Sequence, residues 1–576
     1  MRTPLWLSPA VGLLVFASPL RAVPLHQWSK QFGQFVGLNS VAMDGVGNVV
    51  ITGTFYDTVD FGGGPLTSVG NGDIFVAKFG PTGNHLWSHS FGDSLALSAD
   101  VAVDDAGNVV ITGDLQGSVD FGGGFLECPV DTGISHGNIL VAKFDPDGDH
   151  LWSHCYADTG IQASRSVTVT GAGDVLITGN FVGTIDFGGG PIVSNGGSIS
   201  TFFSEILVGD VFVARLDADG GHVWSRGFGD FEAQSGSSIA VDGSGNVVLT
   251  GDFFGSLDFG GGDLVATCDV LCRRDVFVAK LDASGNHIWS QGFGDDHGQF
   301  GRSIDVDDAG NVVVAGEFFG AMDFGGGALN SHGGFDNGDI FVAKFDLNGS
   351  HLWSNSFGDT LGQVVGEVAV SNFGNVDITG AFEGSVDFGG GPLTCACARL
   401  SYYPGHDAYV ARFDPDGVHL WSQRFGDDGL QSGYTIAEDV SGNVVIAGGF
   451  FGSVDFGGGP LTAVGFDSFL AKFGDVLPVL ITSFAAKAHA GVVEVTWDVW
   501  SDESLESFTL YRSDDAHPSA RVIAAGRFDD TRRSYVDASV EAGKRYSYEL
   551  LIHTRGGDDI RSQVATVTVP RFESTL

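Results

Sequence analysis

Asp339-Ile-Phe-Val-Ala-Lys-Phe-Asp-Leu-Asn-Gly-Ser-His-Leu-Trp-Ser-Asn-Ser-Phe-Gly-Asp359 places two short apolar runs around the turn Asp346-Leu-Asn-Gly349 and closes on Trp-Ser-x-x-Phe-Gly. Apolar alternation on both sides of a glycine-containing turn is the pattern of a β-hairpin. The closing signature returns at Trp28, Trp87, Trp224, Trp289, Trp353 and Trp421, with a Tyr-Ala variant after Trp152, and a histidine stands two residues before each tryptophan. Spacings of 59, 65, 72, 65, 64 and 68 residues suit a four-stranded sheet with its turns and exceed most helical repeats. They are the spacings of propeller blades.

Working outward, Ser303-Ile-Asp-Val-Asp-Asp308 alternates as a first strand, turns at Ala309-Gly-Asn311, and continues into Val312-Val-Val-Ala-Gly316 as a buried second strand. Asp339–Phe345 is the third strand and the tryptophan strand the fourth. Seven Asp-Phe-Gly-Gly-Gly strings, at Asp60, Asp120, Asp186, Asp258, Asp323, Asp387 and Asp455, keep the same order. His26-Gln-Trp-Ser29 has no three strands before it, and the last set ends at Leu470-Ala-Lys-Phe473 with no tryptophan strand after it. Ring closure needs this arrangement: the N-terminal strand is expected to complete the seventh blade and so remove a free sheet edge. The expected fold is therefore all-β, a seven-bladed β-propeller over residues 23–476.

Antiparallel order puts the first-to-second and third-to-fourth turns on one face, where they are short and alike. The second-to-third and blade-to-blade connections lie on the other face and vary in length, notably at Cys128–His136, Ser194–Val208, Cys268–Arg274 and Thr394–Asp407. Variable loops on one rim of a rigid scaffold are the expected recognition surface.

Net charge is −43, and residues before Pro478 carry 17 Lys and Arg against 56 Asp and Glu. Such a surface repels phosphate backbones and anionic lipid, so nucleic acid is not an expected partner. Met1-Arg2, an apolar stretch from Leu5 to Ala17 and Ser18-Pro-Leu-Arg-Ala22 have the layout of a signal peptide over residues 1–22. Later segments are too short in apolar residues to span a bilayer. The expected product is a secreted or cell-surface monomer without membrane insertion. Six cysteines in an exported chain allow disulfides: Cys128–Cys155 and Cys268–Cys272 are the plausible bridges, whereas Cys395-Ala-Cys397 would close a strained small ring.

The run Asp295-Asp296, Ser303-Ile-Asp-Val-Asp-Asp-Ala-Gly-Asn311 and Asp339-Ile-Phe-Val-Ala-Lys344 resembles the SBBP family of bacterial β-propeller repeats. The resemblance covers about residues 26 to 475 in all seven copies, and departs from the family in the Trp-Ser strand and the Asp-Phe-Gly-Gly-Gly string. It implies an exported or surface propeller and no established activity. From Pro478 the alternations in Gly491-Val-Val-Glu-Val-Thr-Trp497, Ser507-Phe-Thr-Leu-Tyr-Arg-Ser513 and Arg545-Tyr-Ser-Tyr-Glu-Leu-Leu-Ile552 read as a β-sandwich over 478–571. Trp497, with Val540 six residues before Tyr546, is similar to the tryptophan and tyrosine corner of fibronectin type III domains, with Ala542 replacing the corner's usual proline.

Two sets of repeated side chains invite a metal. His26, His85, His150, His222, His287, His351 and His419 sit on outer strands, too far apart to share an ion whose ligands lie about 2 Å away, and packing between blades is the expected role. Asp93, Asp158, Asp230, Asp295, Asp359 and Asp427 follow Phe-Gly or Tyr-Ala at the blade connections. Converging carboxylates there could hold Ca²⁺, and the same equivalence also fits aspartates that accept backbone N–H bonds to form their own turns. Asp145-Pro-Asp-Gly-Asp149 and Asp414-Pro-Asp-Gly417 lack the later Glu of a calcium loop and are expected hairpin turns. Ala142-Lys-Phe-Asp-Pro-Asp-Gly-Asp-His-Leu-Trp152 is similar to the tryptophan-docking motif of quinoprotein dehydrogenases, without their vicinal cysteine pair or eight blades. HExxH and P-loop strings are absent from the sequence.

The leading expectation is an exported, non-enzymatic binding protein whose propeller face takes a protein or carbohydrate ligand. The alternative is a secreted enzyme using the central channel: a quinoprotein-like oxidoreductase, or a lyase or hydrolase with Ca²⁺ support. Unlike polar residues converging from different blades onto the channel would distinguish them.

Overall fold

The computed structural model describes residues 24–570 apart from 70–71, 93–94, 129–136, 158–159, 197, 201–204, 208, 268–273, 334–336, 398–404, 475–479, 490, 501–504, 515–516, 528–533, 555–558 and 563. The stretch 1–22 read as a signal layout, and Cys268 with Cys272, lie outside the described residues. Val23–Asp475 forms one compact unit, and the chain from Val476 onward belongs to a second.

The first unit is all β. Its repeat is clearest in Gln299–Val306, Val312–Phe318, Asp339–Phe345 and His351–Phe357, four antiparallel strands hydrogen-bonded in chain order. Repeated four-stranded sheets of this kind stand side by side, and each first strand packs on the first strands of both neighbours until Val36–Met43 meets Gln431–Glu438. This is a repeat β-propeller. The last sheet takes its fourth strand from the other end of the chain: Leu25–Phe32 pairs with Asp467–Gly474 in a register that opposes Ser29 to Ala471 and Phe32 to Ser468.

Each middle strand is buried on both sides because it lies between two blades, which is why its sequence is an unbroken apolar run. Phe293, Phe324 and Phe341 show how the layers fill: Phe324 of the Asp-Phe-Gly-Gly-Gly string lies 4.8 Å from Phe293 and 5.1 Å from Phe341 between ring centroids. That string makes a short hairpin, Ala321–Met322 with Leu329–Asn330, which lies against the fourth strand and covers the outer edge of the sheet.

The glycines of the hairpin have a steric cause. A Cβ on Gly326 would stand 2.3 Å from Cε1 of His351, so only glycine lets the imidazole lie flat on the hairpin. The His351 ring also meets Ser354 Oγ at 3.0 Å. Both contacts are within one blade and recur at all seven histidines, closing with His26 over Gly458. The expected packing of these histidines between blades is therefore corrected: that task falls to the tryptophans. Trp289 covers Gly349 of the next blade, a positive-φ turn glycine, and donates its indole N–H to Leu347 O at 3.2 Å.

Buried ion pairs add a second link between blades. Lys344 pairs with Asp307 at 3.0 Å in its own blade and reaches Gly374 O of the next at 3.4 Å. The same pairing occurs at Lys78–Asp44, Lys143–Asp104, Lys280–Asp242 and Lys472–Asp439. Where the turn begins with Thr170 or Ser371 in place of aspartate, the lysine becomes Arg215 or Arg412, whose longer fork reaches Asp174 or Asp377.

Cys128 and Cys155 form the expected disulfide. Cys395 and Cys397 are also joined, against expectation. Ala396 N–H donates to Asp407 Oδ2 at 2.8 Å, and this tight turn brings the two Cα atoms to 5.2 Å.

In the second unit Leu480–His489, Val492–Trp500 and Ser534–Asp537 form one sheet. His517–Arg527, Leu505–Asp514 and Arg545–Thr554 form another, with Asp559–Arg561 and Ala565–Thr568 beside the last. Trp497 fills the core between them, 5.6 Å from Phe508. Tyr546 turns its hydroxyl back to accept the Glu541 N–H at 2.9 Å.

Candidate functional site

Asp230, Asp295, Asp359 and Asp427 occupy one equivalent position, and Asp93 and Asp158 lie outside the described residues. Asp295 Oδ1 accepts the His297 N–H at 2.8 Å and Gln299 Nε2 at 2.6 Å, while Oδ2 accepts the Ala321 N–H at 2.7 Å. Asp230, Asp359 and Asp427 make the same three bonds, Oδ2 reaching Ser256, Ser385 and Ser453. Each carboxylate thus ties a blade connection to the end of the next blade's second strand. At Asp295 alone, among the described residues, two further donors come close: His297 Nδ1 stands 2.9 Å from Asp296 and 3.1 Å from Asp295. The sequence reading missed this cluster, although Gly294-Asp-Asp-His-Gly298 differs visibly from the other connections.

The central channel presents a second constellation. Every first strand carries an irregularity at the same place, as between Gly301 and Ser303, and the residue after it faces the channel wall. These residues are Ser40, Asp100, Ser166, Ser238, Ser303, Glu367 and Thr435. Each accepts a backbone N–H from the next blade. Val41 N donates to Thr435 Oγ1 (3.2 Å), Val101 N to Ser40 (3.3 Å), Val167 N to Asp100 (2.8 Å) and Ile239 N to Ser166 (3.4 Å). Ile304 N donates to Ser238 (3.2 Å), Val368 N to Ser303 (3.1 Å) and Ile436 N to Glu367 (2.8 Å). The circle is complete, and the irregularity is what frees one N–H per blade from its own sheet to make it.

Five of the seven positions are hydroxyls, which are enough for the task; Asp100 and Glu367 break the pattern. Burial pushes the Glu367 carboxyl up to about 8, with the nearby Asp100 charge adding to it and the Thr435 bond opposing it. Burial raises Asp100 as well, against bonds from Ser40, Ser166 and two backbone N–H groups. One layer along, Asp305 is pushed to about 6 by the same cause. Arg165, Arg302 and Tyr434 also line this narrow cavity of about 130 Å³. Arg302 is held by Glu317 at 2.8 Å.

No family model matches the chain. An uncharacterized WD repeat-containing protein of Acanthamoeba polyphaga mimivirus is 21% identical over 459 residues, 69% of this chain and 32% of that protein. The chain spans about a third of the length of that relative. Among solved structures, the Pan2 WD40 domain of Neurospora crassa is similar over 78% of this chain and 98% of its own, at 11% identity and a TM-score of 0.36. An Fn3-like protein from Clostridium thermocellum is similar over 16% of this chain and 90% of its own, at 22% identity and a TM-score of 0.13. The WD-repeat relative and the strand topology agree on a repeat β-propeller.

Proposed function

We propose that the chain is an exported, non-enzymatic interaction protein: a seven-bladed propeller of SBBP type that presents its variable-loop face to a protein or carbohydrate ligand, followed by a fibronectin type III-like spacer. The observation that carries this reading is where the repeat's polar groups go. Its histidines, tryptophans, lysines and connection aspartates are taken up by bonds that hold blade to blade or hairpin to strand, leaving a rigid scaffold whose variation gathers in the connections before the third strands. Disulfides at Cys128–Cys155 and Cys395–Cys397 support an oxidising compartment and hence export. The WD-repeat relative supports interaction as the general role. Ca²⁺ at Asp93, Asp158, Asp230, Asp295, Asp359 and Asp427 belongs to the same proposal as an accessory ion.

The convergence of Asp100, Glu367 and Arg165 on the channel is the observation that favours the enzyme alternative. Size opposes it, since pockets that enclose organic ligands run to roughly 300–1,000 Å³ and this cavity is about 130 Å³.

Binding of the intact chain to protein and glycan arrays, beside a variant in which 129–136, 201–204, 268–273 and 398–404 are replaced by the shortest connection in the chain, tests the reading. Binding by the intact chain that disappears in the replaced one is expected. A ligand that binds both equally would move recognition off this face.

A further inference from the structure

We propose that the central channel holds a carboxylate, bound by Arg165 and the hydroxyl groups of Ser238 and Ser303 on the third, fourth and fifth blades. Ser238 and Ser303 each accept one backbone N–H, and among the described residues neither hydroxyl finds an acceptor for its own hydrogen. Ser40, Ser166 and Thr435 differ, since each donates to Asp100 or Glu367. Ser303 is only 4% exposed and lines the cavity, so its O–H has nowhere to donate except into it. Arg165 lines the same cavity and makes no hydrogen bond or ion pair among the described residues, its charge acting only through space on Asp114 and Asp252. A guanidinium beside two unsatisfied hydroxyls is a donor set, and a planar anion with two oxygens is what such a set takes.

The opposite wall does not compete. Asp100 Oδ1 already accepts Ser40 Oγ at 2.6 Å and the Val101 N–H at 2.8 Å, and Oδ2 accepts Ser166 Oγ at 2.9 Å and the Val167 N–H at 2.8 Å. Both of its oxygens are thus turned to the protein. Burial keeps the Glu367 carboxyl neutral up to about pH 8, which removes a negative charge from the channel. A cation would meet Arg165 and Arg302 at the same wall. Since the site does not involve the long loops, it stands or falls apart from the variable-face reading.

Two sources can supply the group: a free small carboxylate, or an acidic side chain of a protein segment entering the channel. Calorimetric titration of the full chain with sodium formate, at ionic strength held by NaCl, and separately with an end-blocked Gly-Glu-Gly peptide distinguishes them. Saturable binding of formate alone assigns a free carboxylate; binding of the peptide assigns a side chain. In either case Arg165→Gln, which removes no hydrogen bond of the fold, is expected to weaken binding at least tenfold, and Ser303→Ala to weaken it less. Absence of saturable binding in both arms, or binding that Arg165→Gln leaves unchanged, would overturn the proposal.

Discussion

The other blades are each cut from one run of chain, while the last is assembled from both ends of the propeller, and the two kinds are held almost identically. Lys472 pairs with Asp439 and reaches Gly47 O at 3.0 Å, as Lys344 reaches Gly374 O. Thr435 accepts from Val41 as Ser303 accepts from Val368. The difference is one missing turn. Six tryptophans donate to a carbonyl in the third-to-fourth turn of the following blade, but the blade after Trp421 has its third and fourth strands from opposite ends. Trp421 is buried and its indole N–H has no acceptor among the described residues. The propeller is therefore closed by repeated side-chain contacts, and chain continuity contributes the third-to-fourth turn with the few hydrogen bonds that its carbonyls accept from the preceding blade.

The severest way to break the comparison is to delete the donated strand. A chain beginning at Gln34 loses Phe32 and Trp28 from the core, each side chain worth about 2–3 kcal/mol, and exposes Asp467–Gly474 as an edge. A loss of about 4–6 kcal/mol, with self-association, is expected in urea unfolding and sedimentation. A melting temperature and monomer state equal to those of a chain that keeps Leu25–Phe32 would show that closure is not what holds the ring.

Next in size, Lys143→Met and Lys472→Met each strand a buried aspartate. Breaking one side of such a pair costs about 3–5 kcal/mol, and the two losses should agree within about 1 kcal/mol if the seventh blade is held like the second. A much smaller loss at Lys472, read from denaturation midpoints, would mark the assembled blade as looser.

The channel circle offers a sharper probe through pH. The folded value of Glu367 lies above the ordinary 4.5, so the fold prefers the neutral acid. Its contribution is full below about pH 4.5 and is lost as pH rises toward about 8. Glu367→Gln should remove this fall, leaving the variant more stable than the parent at pH 8 by on the order of a few kcal/mol. Parallel stability profiles for the two proteins from pH 5 to 9 would contradict the assignment.

A smaller contrast separates two tryptophans. Trp353→Phe leaves Pro415 O without its indole donor, whereas Trp421→Phe removes a donor that had no acceptor. The first should cost about 1 kcal/mol more than the second. Equal costs in calorimetry would mean that the missing turn is compensated.

The smallest effect concerns Ca²⁺. Millimolar CaCl₂ should raise the melting temperature slightly beyond NaCl of equal ionic strength, and Asp295→Asn with Asp359→Asn should reduce the difference. Equal shifts from the two salts would leave these aspartates with their turn bonds alone.

Repetition made the strand order legible, because seven copies of one pattern average out the noise of any single segment. The donated strand could be read from the unmatched His26-Gln-Trp-Ser29 and Leu470–Phe473. The side-chain partners were less legible. Histidine and tryptophan two residues apart share a strand face, yet one turns to its own hairpin and the other to the next blade, and only the position of the hairpin decides that. The channel circle escaped notice because it has no shared residue type. Its signal was nonetheless present as a column, a short polar residue before a β-branched one in Ser40-Val41, Asp100-Val101, Ser303-Ile304 and Glu367-Val368.

The donated strand also sets a clock. Gln31 donates to Asp467 across 436 positions, so the N-terminal strand of the propeller waits longest in it for its partner. At roughly 5–20 residues per second of synthesis, that interval is on the order of 20–90 s. Through it the strand Leu25–Phe32, unpaired, has to be kept from joining other edges, and until it docks Asp467–Gly474 is itself an open edge. Closure of the ring is therefore an all-or-none event once Asp467–Gly474 has been made, and a polypeptide truncated anywhere before Phe473 would present two sticky margins instead of a shortened ring.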